Sequence, residues 1–165
     1  MYSKIQPPTK KISKESVKVW RMTEAITNLI ILAVLGSLLF VDDYFTWKEW
    51  IGWILNGLIV LSFFHAIWSI FIEPILLQKY WRYDVNEEFI QTKRGAWSET
   101  HELIPMTKVQ SVKLNQGPFL RKYNLYSLSI GTMGDSHDIP AIPEKEAYEL
   151  RDKIAHFAKI KEVDE

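Results

Sequence analysis

Several short stretches of this sequence carry residue types that can do chemistry. His101-Glu102 begins like a helical zinc motif, which needs a second histidine four residues on to share the metal. None follows at that spacing, and the stretch reads as strand. Ser136-His137-Asp138 holds the three residue types of a nucleophilic relay. Consecutive strand positions point to opposite faces, so these three cannot pass a proton among themselves, and a turn is the better reading. Arg94-Gly95 is an isolated hairpin signal, without a phosphate-cradling glycine loop. The chain has no cysteine, which removes disulfides, thiolate metal sites and a cysteine nucleophile. The sequence therefore implies no catalytic set, no metal and no cofactor.

Two polar residues stand in a setting that gives them weight. Asn56 and His65 are the strongly polar groups of a long uncharged run, and an ionisable side chain at membrane depth is a functional candidate by default. The structural alternative is a neutral imidazole hydrogen-bonded to a neighbouring helix. Basic side chains supply a second group: Lys79 and Arg82 after that run, then Lys93-Arg94 and Arg121-Lys122. Ordinary solvated surface or lipid-surface anchoring is the plainer reading of them. With 20 basic and 20 acidic residues the formal net charge is zero, so bulk charge gives no case for nucleic acid.

The element that must position these groups is Trp50–Ile72, 23 residues without a formal charge. At a helical rise of ~1.5 Å per residue it spans ~34 Å, enough to cross a hydrocarbon core of ~30 Å. A first apolar run, Ile26–Val41, precedes it, with helix extending back to Met22 and with Glu24 and Asn28 able to reach headgroup water. Helices are expected at about 22–41 and 50–77, with a kink at Glu73-Pro74. Ala33, Gly36 and Ser37 on the first, and Ser62 and Ala66 on the second, are small residues that let backbones approach closely in lipid, against each other or a partner.

The eight-residue connector Asp42–Glu49 makes the two helices antiparallel neighbours. It holds three acids and Lys48, whereas Lys4, Lys10, Lys11, Lys14, Lys18 and Arg21 precede the first helix and Lys79 and Arg82 follow the second. The positive-inside rule puts both termini in the cytoplasm. Residues 1–21 read as a basic cytoplasmic arm, flexible or partly helical against an anionic membrane surface.

From Tyr80 the period changes to two. Strands are expected at 80–85, 89–94, 96–104, 108–115 and 126–132, with a short return strand at 136–139. Pro143 then opens a helix with Glu144 and Glu146 in its first turn and Lys153, Lys159 and Lys161 toward its end. Ala147, Leu150, Ile154, Phe157 and Ala158 form its apolar stripe.

These residues resemble the bacterial pleckstrin-homology-like (PH-like) membrane proteins of the YdbS type. The matching set runs through Tyr83, Asn86-Glu87-Glu88, Arg94-Gly95, Ile104-Pro105, Lys108-Val109-Gln110-Ser111-Val112, Gln116-Gly117-Pro118, Arg121, Leu125, Thr132-Met133-Gly134, Ile139-Pro140 and Glu146-Ala147. Asn124 stands where the family usually has glycine, and Met133 where alanine is more common. The resemblance implies an α+β chain: a transmembrane hairpin at 22–78, then a cytoplasmic PH-like domain at 79–165. That domain would be a bent antiparallel barrel of about seven strands, plugged at one end by the C-terminal helix. It further implies a non-enzymatic accessory protein of the bacterial cytoplasmic membrane, acting with a larger relative that carries several such domains, or as a homo-oligomer, in envelope defence or resistance to membrane-active peptides.

Contact surfaces expected on this reading are the small-residue seam and the barrel edge near Arg94, Gln110, Gln116 and Arg121. The alternative is a lipid module in which Lys79, Arg82, Arg121 and Lys122 read anionic headgroups. Eukaryotic PH domains often bind such headgroups around the first hairpin. The turn taken to correspond here, Asn86-Glu87-Glu88, is acidic and disfavours that site.

Overall fold

The computed structural model describes residues 6–163. Lys4 of the basic arm, and the side chain of Lys161, lie outside the described residues. The chain forms two compact units: Trp20–Ile75, and the flanking segments up to Val19 and from Leu76 onward.

Trp20–Ile75 holds the hairpin. Helix α1 covers Ser16–Phe45 and α2 covers Glu49–Ile67. A π-helical turn, Trp68–Ile72, joins α2 to α3, Glu73–Tyr80, so the second helical stretch runs on from Glu49 to Tyr80. Both helices exceed the expected 22–41 and 50–77, and the connector shrinks from eight residues to the three between Phe45 and Glu49. Asp42 and Asp43 continue α1 because its end closes by a Schellman turn: Thr46 adopts φ +46° and the Trp47 N–H reaches the Asp42 carbonyl at 3.3 Å. The π turn follows from Pro74, which has no N–H and crowds the carbonyl four residues back. Upstream the helix widens, and the Glu73 N–H bonds the Trp68 carbonyl five residues behind it.

Only 6% and 11% of the most apolar stretches of the two helices are buried. Leu29, Phe40, Trp53, Leu61 and Phe64 are each more than 60% exposed. A core helix of a soluble protein hides such side chains; these two are long and apolar enough to cross a bilayer.

Among the described residues, the second unit contains seven strands in two antiparallel sheets. One has the order β1-β2-β3-β4: Lys10–Lys11, Arg82–Val85, Phe89–Arg94 and Thr100–Pro105. The other has the order β5-β6-β7: Ser111–Asn115, Leu125–Gly131 and Ser136–Pro143. The strand count meets the expectation, but the sheets do not close into a barrel. A short helix α4, Pro118–Lys122, lies between β5 and β6, where the sequence suggested only a strand end. Helix α5, Glu144–Val163, packs Ala147, Leu150 and Ile154 into the core with Ile90, Leu128, Ile130, Ile139 and Ile142. Phe157 and Ala158 continue its stripe half-buried.

The arm is partly helical as expected, from Ser16 onward, but Lys10–Lys11 form a strand that the sequence did not suggest. Lys10 pairs with Tyr83 and Lys11 with Arg82. Ile12 is 2% exposed and its carbonyl accepts from Gln78 Nε2 at 3.4 Å. The Ser13 N–H donates to the Ala141 carbonyl at 3.3 Å, and Ala141 offers it from a β7 bulge with φ +53°. Val19 then packs on Leu125 and Ala141, beside Phe119, Leu120 and Tyr123 of the α4 segment. The hairpin is thus an insertion between the first two strands of a sheet. The acidic turn Asn86–Glu88 joins β2 to β3, the first hairpin of the sheet.

Candidate functional site

Two polar clusters carry the chemistry that the sequence scattered. The first lies where the two sheets meet. Glu102, on β4, accepts from Thr92 Oγ1 at 3.2 Å, Arg94 Nη2 at 2.9 Å and His137 Nδ1 at 3.1 Å. Thr92 and Arg94 stand on β3, Glu102 across from them, and His137 on β7, so this bond links the sheets. Burial alone would raise the Glu102 carboxyl. The hydrogen bond from His137, the charge of Arg94 and the bond from Thr92 outweigh it and hold the group below its ordinary value. Trp81, Arg94, Glu102, Asp135, Ser136, His137, Asp138 and Pro140 line a cavity of about 430 Å³ here. The Arg94 guanidinium lies 5.8 Å from the Trp81 ring centre.

His137 and Glu102 each began as half of a failed motif, and the fold joins them across 35 residues. Ser136 and Asp138 take no part in that bond: Asp138 instead accepts from Ser129. Ser136–Pro143 is a strand, longer than the return strand expected at 136–139 and not a turn at Ser136–Asp138, and this alternation separates the three residues as the strand period requires. The other half of the first motif, His101, sits 3.5 Å from Glu99, which also binds Lys93 at 2.8 Å. Those two bonds, Lys93 first, pull the Glu99 carboxyl down.

The second cluster lies between the helices. Asn28 Nδ2 donates to Ser69 Oγ at 3.0 Å and to the Glu24 carbonyl at 2.8 Å. Asn28 is 4% exposed and Ser69 1%, so Asn28 does not reach headgroup water as expected. Lipid offers no partner, and the neighbouring helix does. With its amide hydrogens so used, Asn28 presents Oδ1 to His65 Nδ1 at 3.4 Å, and the imidazole must donate there. His65 is thus hydrogen-bonded to the neighbouring helix. Asn56 bonds its own helix at the Gly52 carbonyl, 2.8 Å away.

The remaining candidates are spread out. Lys79 is exposed, with its ammonium 5.3 Å from the Tyr80 ring centre. Arg82 donates to the Trp81 carbonyl at 2.8 Å. Gln110 is exposed and its N–H bonds the Gly131 carbonyl at 2.8 Å, while Gln116 Nε2 donates to the Leu125 carbonyl at 3.2 Å. Arg121 and Lys122 ride exposed on α4. In the hairpin, Ser62 and Ala66 are half-buried, but Ala33, Gly36 and Ser37 are exposed. The partly covered line of α1 runs instead through Asn28, Leu32, Leu35 and Leu39.

Comparison with known proteins agrees with this architecture. The family profile described as Bacterial PH domain matches residues 27–158. The transmembrane protein YdbS of Bacillus subtilis (strain 168) is 36% identical over 159 residues, which cover 96% of this chain and 98% of that protein. No solved structure matches. With an apolar helix pair inserted in a two-sheet domain closed by a terminal helix, the chain belongs to the bacterial PH domain family, among its membrane proteins of the YdbS type.

Proposed function

We propose that this chain is a non-enzymatic protein of the bacterial cytoplasmic membrane, crossing it twice with both termini inside. Its PH-like domain serves as an assembly module. One observation carries the topology: Lys10 pairs with Tyr83 and Lys11 with Arg82, across the whole hairpin. Paired strands share one compartment, which supports an even number of crossings by the chain between them. The lysines and arginines at both hairpin ends, against the acidic connector, favour the cytoplasm for that compartment.

The partner is a larger membrane protein with related domains, and the process is envelope defence or resistance to membrane-active peptides, as the family resemblance suggests. The exposed Ala33, Gly36 and Ser37 of α1 would pack against a partner helix, and the exposed Arg94, Gln110 and Arg121 would meet a partner domain. Purification in mild detergent from native expression tests this. A related multi-domain membrane protein should co-purify. Recovery as a lone monomer in several mild detergents would overturn the assembly role.

A further inference from the structure

Two side chains stand out on the domain surface. Trp97 and Met133 are each 89% exposed, more than the other exposed large hydrophobic residues of the described chain. Trp97 is at the tip between β3 and β4, and Met133 in the turn between β6 and β7. A hairpin tip ordinarily carries small polar residues, so a bare indole and a bare thioether at two tips need a reason.

The strand directions supply one. The chain leaves α3 at Tyr80 and enters β2 at Arg82. Arg82 pairs with Lys93, so β3 runs back toward the end of β2 that follows α3, and the tip lies two or three residues beyond Arg94, ~7–10 Å. Strand β1, also antiparallel to β2, leaves the sheet in that direction too. The β6–β7 turn shares this end: Asp135 lines one cavity with Trp81 and Arg94, and the His137–Glu102 bond fixes the two hairpins together. The acidic turn Asn86–Glu88 lies at the other end of β2 and β3.

The acids near the first tip are paired with bases. Glu99 forms an ion pair with Lys93, and Glu102 with Arg94. Lys79 remains exposed beside the helix end, and Asp135 is the acid of the second turn. The first tip has a backbone requirement of its own. Gly95 has φ +108°, and any Cβ there would collide with the Ser98 carbonyl, so Trp97 is held out by a turn only glycine can make.

We propose that Trp97 and Met133 enter the interfacial layer of the inner leaflet, as paired anchors that fix the domain against the bilayer from which its helices emerge. Indole favours that layer because its ring is apolar and its N–H finds headgroup partners. This rests on the reading that the helices cross the membrane.

The absence of cysteine makes the test clean. Single variants Trp97→Cys, Met133→Cys, Glu87→Cys and Val60→Cys of the full chain are labelled with an environment-sensitive fluorophore. They are then reconstituted in vesicles of phosphatidylethanolamine and phosphatidylglycerol, with or without lipid spin-labelled near the headgroup or at mid-chain. Labels at 97 and 133 should emit blue-shifted light and lose intensity with the headgroup-proximal quencher, while the label at 87 does neither. The label at 60 should be quenched by mid-chain spin label. Labels at 97 and 133 that behave like 87, with 60 quenched, would overturn the anchors and leave the crossing intact. An unquenched label at 60 would overturn both.

Discussion

Tyr83 donates its hydroxyl hydrogen to Glu146 at 2.9 Å, tying the fully buried ring of β2 to the first turn of α5. Both residues belong to the scattered set by which the sequence resembles its family, so that part of the signature is a fastening between sheet and helix. Lys10 adds an ion pair to Glu146 at 3.6 Å, and Lys153 donates to the Val85 carbonyl at 3.1 Å. Tyr83→Phe should cost ~1 kcal/mol of domain stability, as for one net hydrogen bond, with the helix content of the hairpin unchanged. Chemical denaturation followed by circular dichroism reads both.

The same pair sets an alkaline limit. Burial first, then the bond and charge of Glu146, push the Tyr83 hydroxyl well above the ordinary tyrosine range. The unfolded chain therefore loses this proton at lower pH than the folded one. The contribution is complete below pH ~10 and declines as pH rises above that value. Wild type should lose stability faster than Tyr83→Phe across that interval, measured as the difference between their denaturation midpoints at successive pH values.

Asn124 holds φ +51° between α4 and β6, and its carbonyl accepts the Glu144 N–H at 3.0 Å. This explains the family's usual glycine: the left-handed region is costly for side chains, and asparagine tolerates it better than most. Asn124→Gly should raise the unfolding midpoint slightly. Asn124→Val should lower stability by ~1–2 kcal/mol, since a β-branched chain fits that region worst. Calorimetry on the two variants checks the opposite signs.

In the hairpin, Asn28 and Ser69 should be energetically coupled. A double-mutant cycle with Asn28→Ala and Ser69→Ala should give a coupling of ~0.6 kcal/mol, typical of interhelical bonds in membranes. Unfolding in mixed micelles measures it. Asn56→Ala should not couple to either, because its bond stays within its own helix.

Strand β1 should matter through Ile12 rather than its lysines. Ile12→Ala removes a buried side chain and should cost ~2–5 kcal/mol. Lys10→Ala removes an ion pair between groups open to solvent and should cost ~0–1 kcal/mol. Limited proteolysis of the two variants separates these outcomes.

What the sequence made legible follows from range. Uncharged runs and period-two alternation are local signals, so the hairpin, most strands and the α5 stripe could be read directly. Strand β1 could not: two consecutive lysines carry no periodicity, and their partners lie beyond the entire hairpin. Asn28 and Ser69 are 41 residues apart, and serine looked like a packing residue. Glu102 and His137 meet only because two sheets meet, which no local pattern encodes. Helix α4, five residues long, is too short to show an amphipathic period.

On the proposed topology, both ends of the hairpin share the domain's compartment because they are strands of one sheet. Thr9→Cys, Trp47→Cys and Glu87→Cys variants, probed with a membrane-impermeant maleimide on intact cells, test it most directly. Position 47 should label from outside, and 9 and 87 only after the membrane is opened. Labelling of 9 or 87 in intact cells, or of 47 only after opening, would contradict it.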